Sequence, residues 1–178
     1  MTPKITEYHN FLSDSTYNEI SEHISKITNR DNQTTYMVSN LRWEDNIVNK
    51  SAPVLIYPFN YDTIPFFKQL CKEIESKIPY VVSSIAFYTW TNLSYIPWHS
   101  DRAYKAALTI YLNKNWDENW GGIFLYKQNN EIKGIIPEKN KAILQEGSLQ
   151  HSVSMITPDS DYRYTLQLFF KQTEKTVI

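Results

Sequence analysis

The chain has 178 residues with 18 basic and 19 acidic side chains, a formal net charge of −1. That length predicts a single domain, 1–178, able to bury its own core, and the charge balance argues against a nucleic-acid partner, which asks for a basic excess. The lone cysteine, Cys71, excludes an intrachain disulfide and cysteine-built zinc or iron–sulfur sites.

Residues 1–11 hold no long apolar run, and no stretch approaches the ~20 apolar residues of a membrane span. The expectation is a cytoplasmic protein with no membrane partner. Residues 13–28 predict a helix: Thr16 and Glu19 have capping-box spacing, and Tyr17, Ile20, Ile24 and Ile27 mark one apolar stripe. Residues 34–38 and 54–57 read as short strands, with a polar loop, 39–50, between them that carries Arg42 and Trp43. A second helix is expected over 62–78, with Pro65 in its first turn and Phe67, Leu70, Cys71, Ile74 and Ile78 as its buried stripe.

After Pro79 the period changes from helix to strand. Strands are expected over 80–90, 104–112, 123–126, 132–136, 142–144, 152–156 and 163–170, separated by turn-forming residues such as Asn129-Asn130 and 158–161. Short strands at this spacing argue for a β-sandwich or barrel. The helices then pack outside one sheet, so residues 1–79 support a β core over 80–171.

Histidine occurs only four times, as His9, His23, His99 and His151, so placement is informative. In His99-Ser100-Asp101 an imidazole and a carboxylate lie two apart, on the same side of an extended chain. His151, from a distant strand, can complete two histidines and one carboxylate, a facial set for non-haem ferrous iron. The triplet alone also fits a surface pair or a turn, and His151 alone fits a hydrogen-bonded core histidine. Arg163 lies past His151, across an expected hairpin turn at 158–161, and faces the same side as Thr165 and Gln167. Pointed into a barrel, it needs an anion, for which a carboxylate is suited; pairing with an internal acid or exposure at the surface are the alternatives.

Taken in order, Tyr88, Tyr95-Ile96-Pro97-Trp98-His99-Ser100-Asp101, Leu108-Thr109-Ile110-Tyr111-Leu112-Asn113, Trp116, Gly121-Gly122-Ile123, Pro137, His151-Ser152-Val153 and Arg163-Tyr164-Thr165-Leu166 resemble the iron(II)/2-oxoglutarate-dependent dioxygenases. The run from Tyr111 to Asp117, leading into Gly121-Gly122, is similar to the prolyl hydroxylase branch, especially its oxygen-sensing type. The resemblance covers about residues 85–170. It implies a mainly β fold with flanking helices, built on a double-stranded β-helix (a cupin-like jelly roll). It implies Fe(II) on His99, Asp101 and His151, and 2-oxoglutarate held through Arg163 and Tyr111, with Tyr88 lining that pocket. Dioxygen is the co-reactant and ascorbate a candidate reductant. Trp98 and Phe169 stand where pocket-wall aromatics are common, and Trp43 and Arg42 are candidate substrate contacts. Tyr111 and Tyr88 also fit the description of core tyrosines, and Gly121-Gly122 that of a tight bend.

The implied substrate is a proline-containing protein or peptide. A free amino acid, another small metabolite or a nucleobase is the alternative within the same chemistry. A cupin-like binding protein without turnover, and a zinc hydrolase, are alternatives outside it. The sequence departs from the branch in a longer spacing from His151 to Arg163, and from the collagen-type enzymes in having arginine rather than lysine at the anchor.

Overall fold

The computed structural model describes residues 4–28, 51–58, 65–101 and 103–171. The expected strand 34–38 and the loop with Arg42 and Trp43 lie outside the described residues, as do the side chains of Ile24 and Ile27. In chain order the elements are β1 (Lys4–Tyr8), α1 (Asp14–Thr28), β2 (Val54–Pro58), α2 (Pro65–Lys77), β3 (Val82–Trp90), β4 (Ile96–His99), β5 (Ala106–Tyr111), β6 (Phe124–Gln128), β7 (Glu131–Ile135), β8 (Ala142–Glu146), β9 (His151–Val153) and β10 (Arg163–Phe170). A single turn of 3-10 helix spans Glu118–Trp120.

The strands form two antiparallel sheets. The major sheet runs β1-β8-β5-β10-β3-β2 and the minor sheet β4-β9-β6-β7. Together they make a double-stranded β-helix, a jelly roll with helices on one side. Side chains alternate across a strand, and the major sheet sorts them cleanly. Leu166, Leu168 and Phe170 of β10, Leu108 and Ile110 of β5, and Ala142 and Leu144 of β8 face outward onto the helices. There they meet Tyr17 and Ile20 of α1 and Phe67, Leu70, Cys71 and Ile74 of α2, all buried as their stripes predict. Each such large side chain contributes roughly 1.5–3 kcal/mol of transfer free energy. The opposite face, with Tyr88, Thr109, Gln145, Arg163 and Gln167, points into the space between the sheets.

Three local expectations are corrected. The start of α1 is not closed by Thr16 with Glu19. Ser13 is the cap: its carbonyl accepts from the Tyr17 N–H at 2.8 Å and its hydroxyl from the Thr16 N–H at 3.3 Å. The carboxylate comes from the other helix, where Glu73 Oε1 accepts from the Ser13 N–H at 2.7 Å. Second, β1 was not expected. Its five residues carry only modest apolar content, and it forms because β8 offers an open edge, pairing Lys4 with Glu146 through Tyr8 with Ala142. Third, β9 and β10 are not a hairpin: β9 pairs with β4 and β6 in the minor sheet, while β10 lies in the major one. The long His151–Arg163 spacing is the length needed to cross between sheets. The turn at Asn129-Asn130 is as expected. Both residues have positive φ, 53° and 63°, the geometry that joins β6 to β7 in a two-residue hairpin.

Glu73 locks the two helices together and makes a stability prediction. Burial pushes its carboxyl up, but hydrogen bonds from Lys77, Thr16 and the Ser13 N–H outweigh that and hold it at about 2. A depressed carboxyl stabilises the fold above its unfolded value, near 4.5, and that stabilisation disappears as pH falls toward about 2. Glu73→Gln is therefore expected to lower urea stability at pH 7 by about 1–2 kcal/mol. The gap between variant and wild type should shrink progressively through the acid range; a gap constant with pH would contradict the assignment.

No helix among the described residues is long and apolar enough to cross a membrane.

Candidate functional site

The register of the minor sheet builds the first half of the site. His99 ends β4 and His151 begins β9, and the two are direct cross-strand partners. Their rings lie 4.2 Å apart, centroid to centroid. Asp101, just past the end of β4, reaches both: Oδ1 is 3.9 Å from His99 Nε2 and Oδ2 is 3.6 Å from His151 Nε2. One donor atom from each of the three residues lies within 4.8 Å of the others.

The second nitrogen of each ring settles the proton. His99 Nδ1 is 2.8 Å from the Pro97 carbonyl and His151 Nδ1 is 3.0 Å from the Leu149 carbonyl. A carbonyl only accepts, so Nδ1 carries the hydrogen in each ring. Nε2 of each ring is then the atom left on the Asp101 side, free to offer a lone pair in the neutral tautomer. Burial, followed by the neighbouring His99, lowers the His151 imidazole to about 4, so it is neutral near pH 7. The neutral His151 turns its Nε2 lone pair toward the Asp101 carboxylate across 3.6 Å, a contact that is repulsive unless a cation lies between them. The donor set, two imidazoles and one carboxylate with both rings oriented through Nδ1, suits a divalent metal.

The second half lies on the major sheet. Arg163 opens β10 opposite Trp90 and is 1% exposed. Its guanidinium carbon is 4.8 Å from the Trp90 ring and 5.0 Å from the Tyr111 ring. No described carboxylate pairs with it, and Nε and Nη1 have no hydrogen-bond partner among the described residues. The Tyr111 hydroxyl, also buried, lies near enough to couple electrostatically with the guanidinium, yet makes no well-aligned hydrogen bond. Burial lowers the basicity of Arg163 and raises the Tyr111 phenol. An unpaired buried cation costs several kcal/mol, and two orphaned N–H groups beside an orphaned O–H are the complement of a carboxylate.

Both halves line one cavity of about 550 Å³ of empty space, mouth included. Tyr88 borders it and is nearly buried; burial first, then the charge of Asp101, raises its phenol. Phe169 lines the cavity and stacks on Tyr104 at 4.3 Å. Trp98 does not line it: its ring lies under the Lys127 ammonium at 4.7 Å, because alternation along β4 turns it away from His99. Trp43 and Arg42 lie outside the described residues.

Residues 84–171 match the family model of the 2OG-Fe(II) oxygenase superfamily. The chain belongs to that superfamily. Among solved structures, this oxygenase is similar to a prolyl hydroxylase from Trichoplax adhaerens in complex with a hypoxia inducible factor peptide fragment. That match has 18% identity and a TM-score of 0.76, over 94% of this chain and 83% of that one. It is also similar to a prolyl-4-hydroxylase from Pseudomonas putida, at 13% identity and TM-score 0.71, over 96% and 94%. A third is HygX from Streptomyces hygroscopicus with nickel and 2-oxoglutarate bound, at 9% identity and TM-score 0.68, over 97% and 84%. These likenesses concern the fold. No curated protein matches the chain. The cofactors of the superfamily are Fe(II) and 2-oxoglutarate; the oriented donor triad fits the first, and the orphaned guanidinium and phenol fit the second.

Some residues of the oxygenase site escaped the sequence reading. Trp90 carries the guanidinium on its face and donates through Nε1 to Thr165 Oγ1 at 3.1 Å. Its position two residues after Tyr88, on the same strand face, was the available clue. Gly122 is more than a bend. Its φ is +63°, and an added Cβ would come within 2.8 Å of Arg163 Cδ. The missing side chain makes the space in which the arginine lies.

Proposed function

We propose that this oxygenase hydroxylates a prolyl residue of a protein or peptide, with Fe(II) on His99, Asp101 and His151 and 2-oxoglutarate anchored by Arg163. The observation that carries the cofactor part is the buried Arg163 guanidinium, which lines the same cavity as the triad with Nε and Nη1 unpartnered among the described residues and the Tyr111 ring behind it. Bound iron with 2-oxoglutarate and dioxygen supplies the oxidising power to hydroxylate an unactivated C–H bond, the diacid leaving as succinate and carbon dioxide. The chain does the rest. His99 and His151 present Nε2 because carbonyls hold their Nδ1 hydrogens. Arg163 and Tyr111 bind and orient the far carboxylate, and Trp90 and Gly122 fix the guanidinium. Tyr88 shields the region between them from water. No side chain has to accept a proton from the substrate carbon, and among the described residues the cavity lining holds no base beyond the triad. The domain 1–178 would act as one unit.

The prolyl assignment is supported by two prolyl hydroxylases among the structural neighbours, one of them with a peptide. A second reading, a small-molecule substrate, is favoured by the likeness to HygX, which has been seen with hygromycin B. Succinate formation with Fe(II), 2-oxoglutarate and a set of proline-containing peptides tests the choice. The expected result is stimulation by at least one peptide, which gains the mass of one oxygen on proline. Iron-dependent turnover that no peptide stimulates would favour the small-molecule reading.

A further inference from the structure

Two glutamines on the inner face of the major sheet have no part in the roles above. Gln145 of β8 pairs with Ala107 of β5, and Gln167 of β10 pairs with Thr109 of β5, so the two carboxamides flank one strand and line the cavity. Gln145 is 5% exposed overall and lines the cavity with its carboxamide. Gln167 accepts a hydrogen bond from Thr109 Oγ1 through Oε1 at 2.6 Å, which leaves its Nε2 hydrogens for another partner. A carboxamide in a cavity wall keeps its hydrogen-bonding groups for whatever fills the cavity. Leucine at the same place on the strand would serve the wall as well, so Gln145 points to a ligand group.

The place along the sheet says which ligand. Gln145 shares a level with Ala107 and Phe169, six residues from Arg163, or about 20 Å of strand. It therefore stands at the end of the cavity away from the diacid anchor, beside the Tyr104–Phe169 stack. Arg163 is the one described cation lining the cavity, so no described residue at this end calls for a carboxylate. Gln167 offers donors, and Gln145 offers an acceptor and donors together. Their complement is a group with a carbonyl and an N–H side by side.

We propose that Gln145 and Gln167 read a secondary amide of the substrate next to the reacting C–H bond, Gln167 donating to its carbonyl and Gln145 accepting from its N–H. The substrate class is then peptide-like and not a free amino acid. This inference rests on the oxygenase reading above and specifies the substrate of the same site.

The test uses the full chain, loaded anaerobically with Fe(II) and 2-oxoglutarate and titrated by calorimetry with N-acetyl-proline N-methylamide and N-acetyl-proline N,N-dimethylamide. The second probe lacks the N–H. Wild type should prefer the first by about tenfold, the factor expected from one hydrogen bond of about 1.4 kcal/mol. Gln145→Leu should erase that preference and leave 2-oxoglutarate affinity unchanged. Gln167→Leu should weaken both probes several-fold and preserve their ratio, which gives an independent arm if the first variant folds poorly. Equal preference in wild type and Gln145→Leu, or no binding of either amide to wild type, overturns the proposal. So does weaker 2-oxoglutarate binding in Gln145→Leu, which would assign that residue to the cosubstrate. Failure of the oxygenase reading looks different: wild type would bind no 2-oxoglutarate before any amide is added.

Discussion

Replacing Arg163 with leucine should weaken 2-oxoglutarate binding by about 30- to 5,000-fold, the range expected when one partner of a buried charge pair is truncated. The same change should leave the ligand-free protein as stable as wild type or more so. The second half of this expectation separates a binding residue from a structural one. In the ligand-free fold the guanidinium is 1% exposed, meets no described carboxylate and leaves Nε and Nη1 without partners. Its compensation is the Trp90 and Tyr111 rings, 4.8 and 5.0 Å away, and cation–π contacts contribute about 2 kcal/mol at most sites of this kind. Burial without an anion outweighs that. Leucine removes the charge and keeps the apolar stem as far as Cδ. Each kcal/mol gained should raise the thermal midpoint by about 2–4 °C.

Saturating ligand inverts the order. Wild type at a hundredfold excess over Kd gains about 2.7 kcal/mol from 2-oxoglutarate, and Arg163→Leu gains almost nothing. Arg163→Lys keeps the charge but not the planar fork, and should fall between the two. Thermal melts with and without 2-oxoglutarate read all four values. A leucine variant that melts lower without ligand, yet gains the wild-type increment with it, would make Arg163 a piece of the core.

The sequence exposed that arginine for a simple reason. Strand alternation is a period of two, and Arg163, Thr165 and Gln167 occupy one face of β10 both by count and in the fold. Both helical stripes were legible for the same reason, through the 3.6-residue period of Tyr17 with Ile20 and of Phe67, Leu70, Cys71 and Ile74. What was not legible is pairing. β1 exists because β8 has a free edge, and Glu73 caps α1 from a helix about sixty positions away in the chain. Neither leaves a local pattern. The same holds for Gly122, whose role is to be absent where Arg163 Cδ lies. The resemblance that puts Trp98 among the pocket-wall aromatics does not carry over, because neighbouring strand residues point to opposite faces and Trp98 lies under Lys127 instead.

Removing the Asp101 carboxylate should abolish iron binding and turnover while leaving the fold intact. Asp101 is the better probe of the triad than either histidine. His151 is buried against Phe124, the rings 5.3 Å apart, and is part of the pairing of β9 with β4 and β6. Its truncation would open a cavity and mix loss of metal with loss of packing. Asp101 lies beyond the end of β4, its side chain 17% exposed, and its main-chain carbonyl accepts from the Tyr104 N–H at 3.2 Å. Alanine keeps that backbone bond. What alanine loses is the only anion among the three donors that lie within 4.8 Å of one another. Two neutral imidazoles then face a divalent cation with no charge to neutralise it. Changes to groups that merely orient a ligand weaken metal binding about 10- to 100-fold, so loss of a charged donor should exceed roughly 100-fold. Metal analysis after anaerobic iron loading should give near-stoichiometric iron for wild type and almost none for Asp101→Ala, with unchanged far-ultraviolet circular dichroism. The visible absorption that appears on adding both Fe(II) and 2-oxoglutarate should vanish with it. Because Arg163 is untouched at the other half of the site, 2-oxoglutarate should still raise the melting temperature of Asp101→Ala, by less than in wild type. Wild-type iron stoichiometry in the alanine protein would mean that the cation is held elsewhere, and the convergence of His99 and His151 on Asp101 would need another explanation.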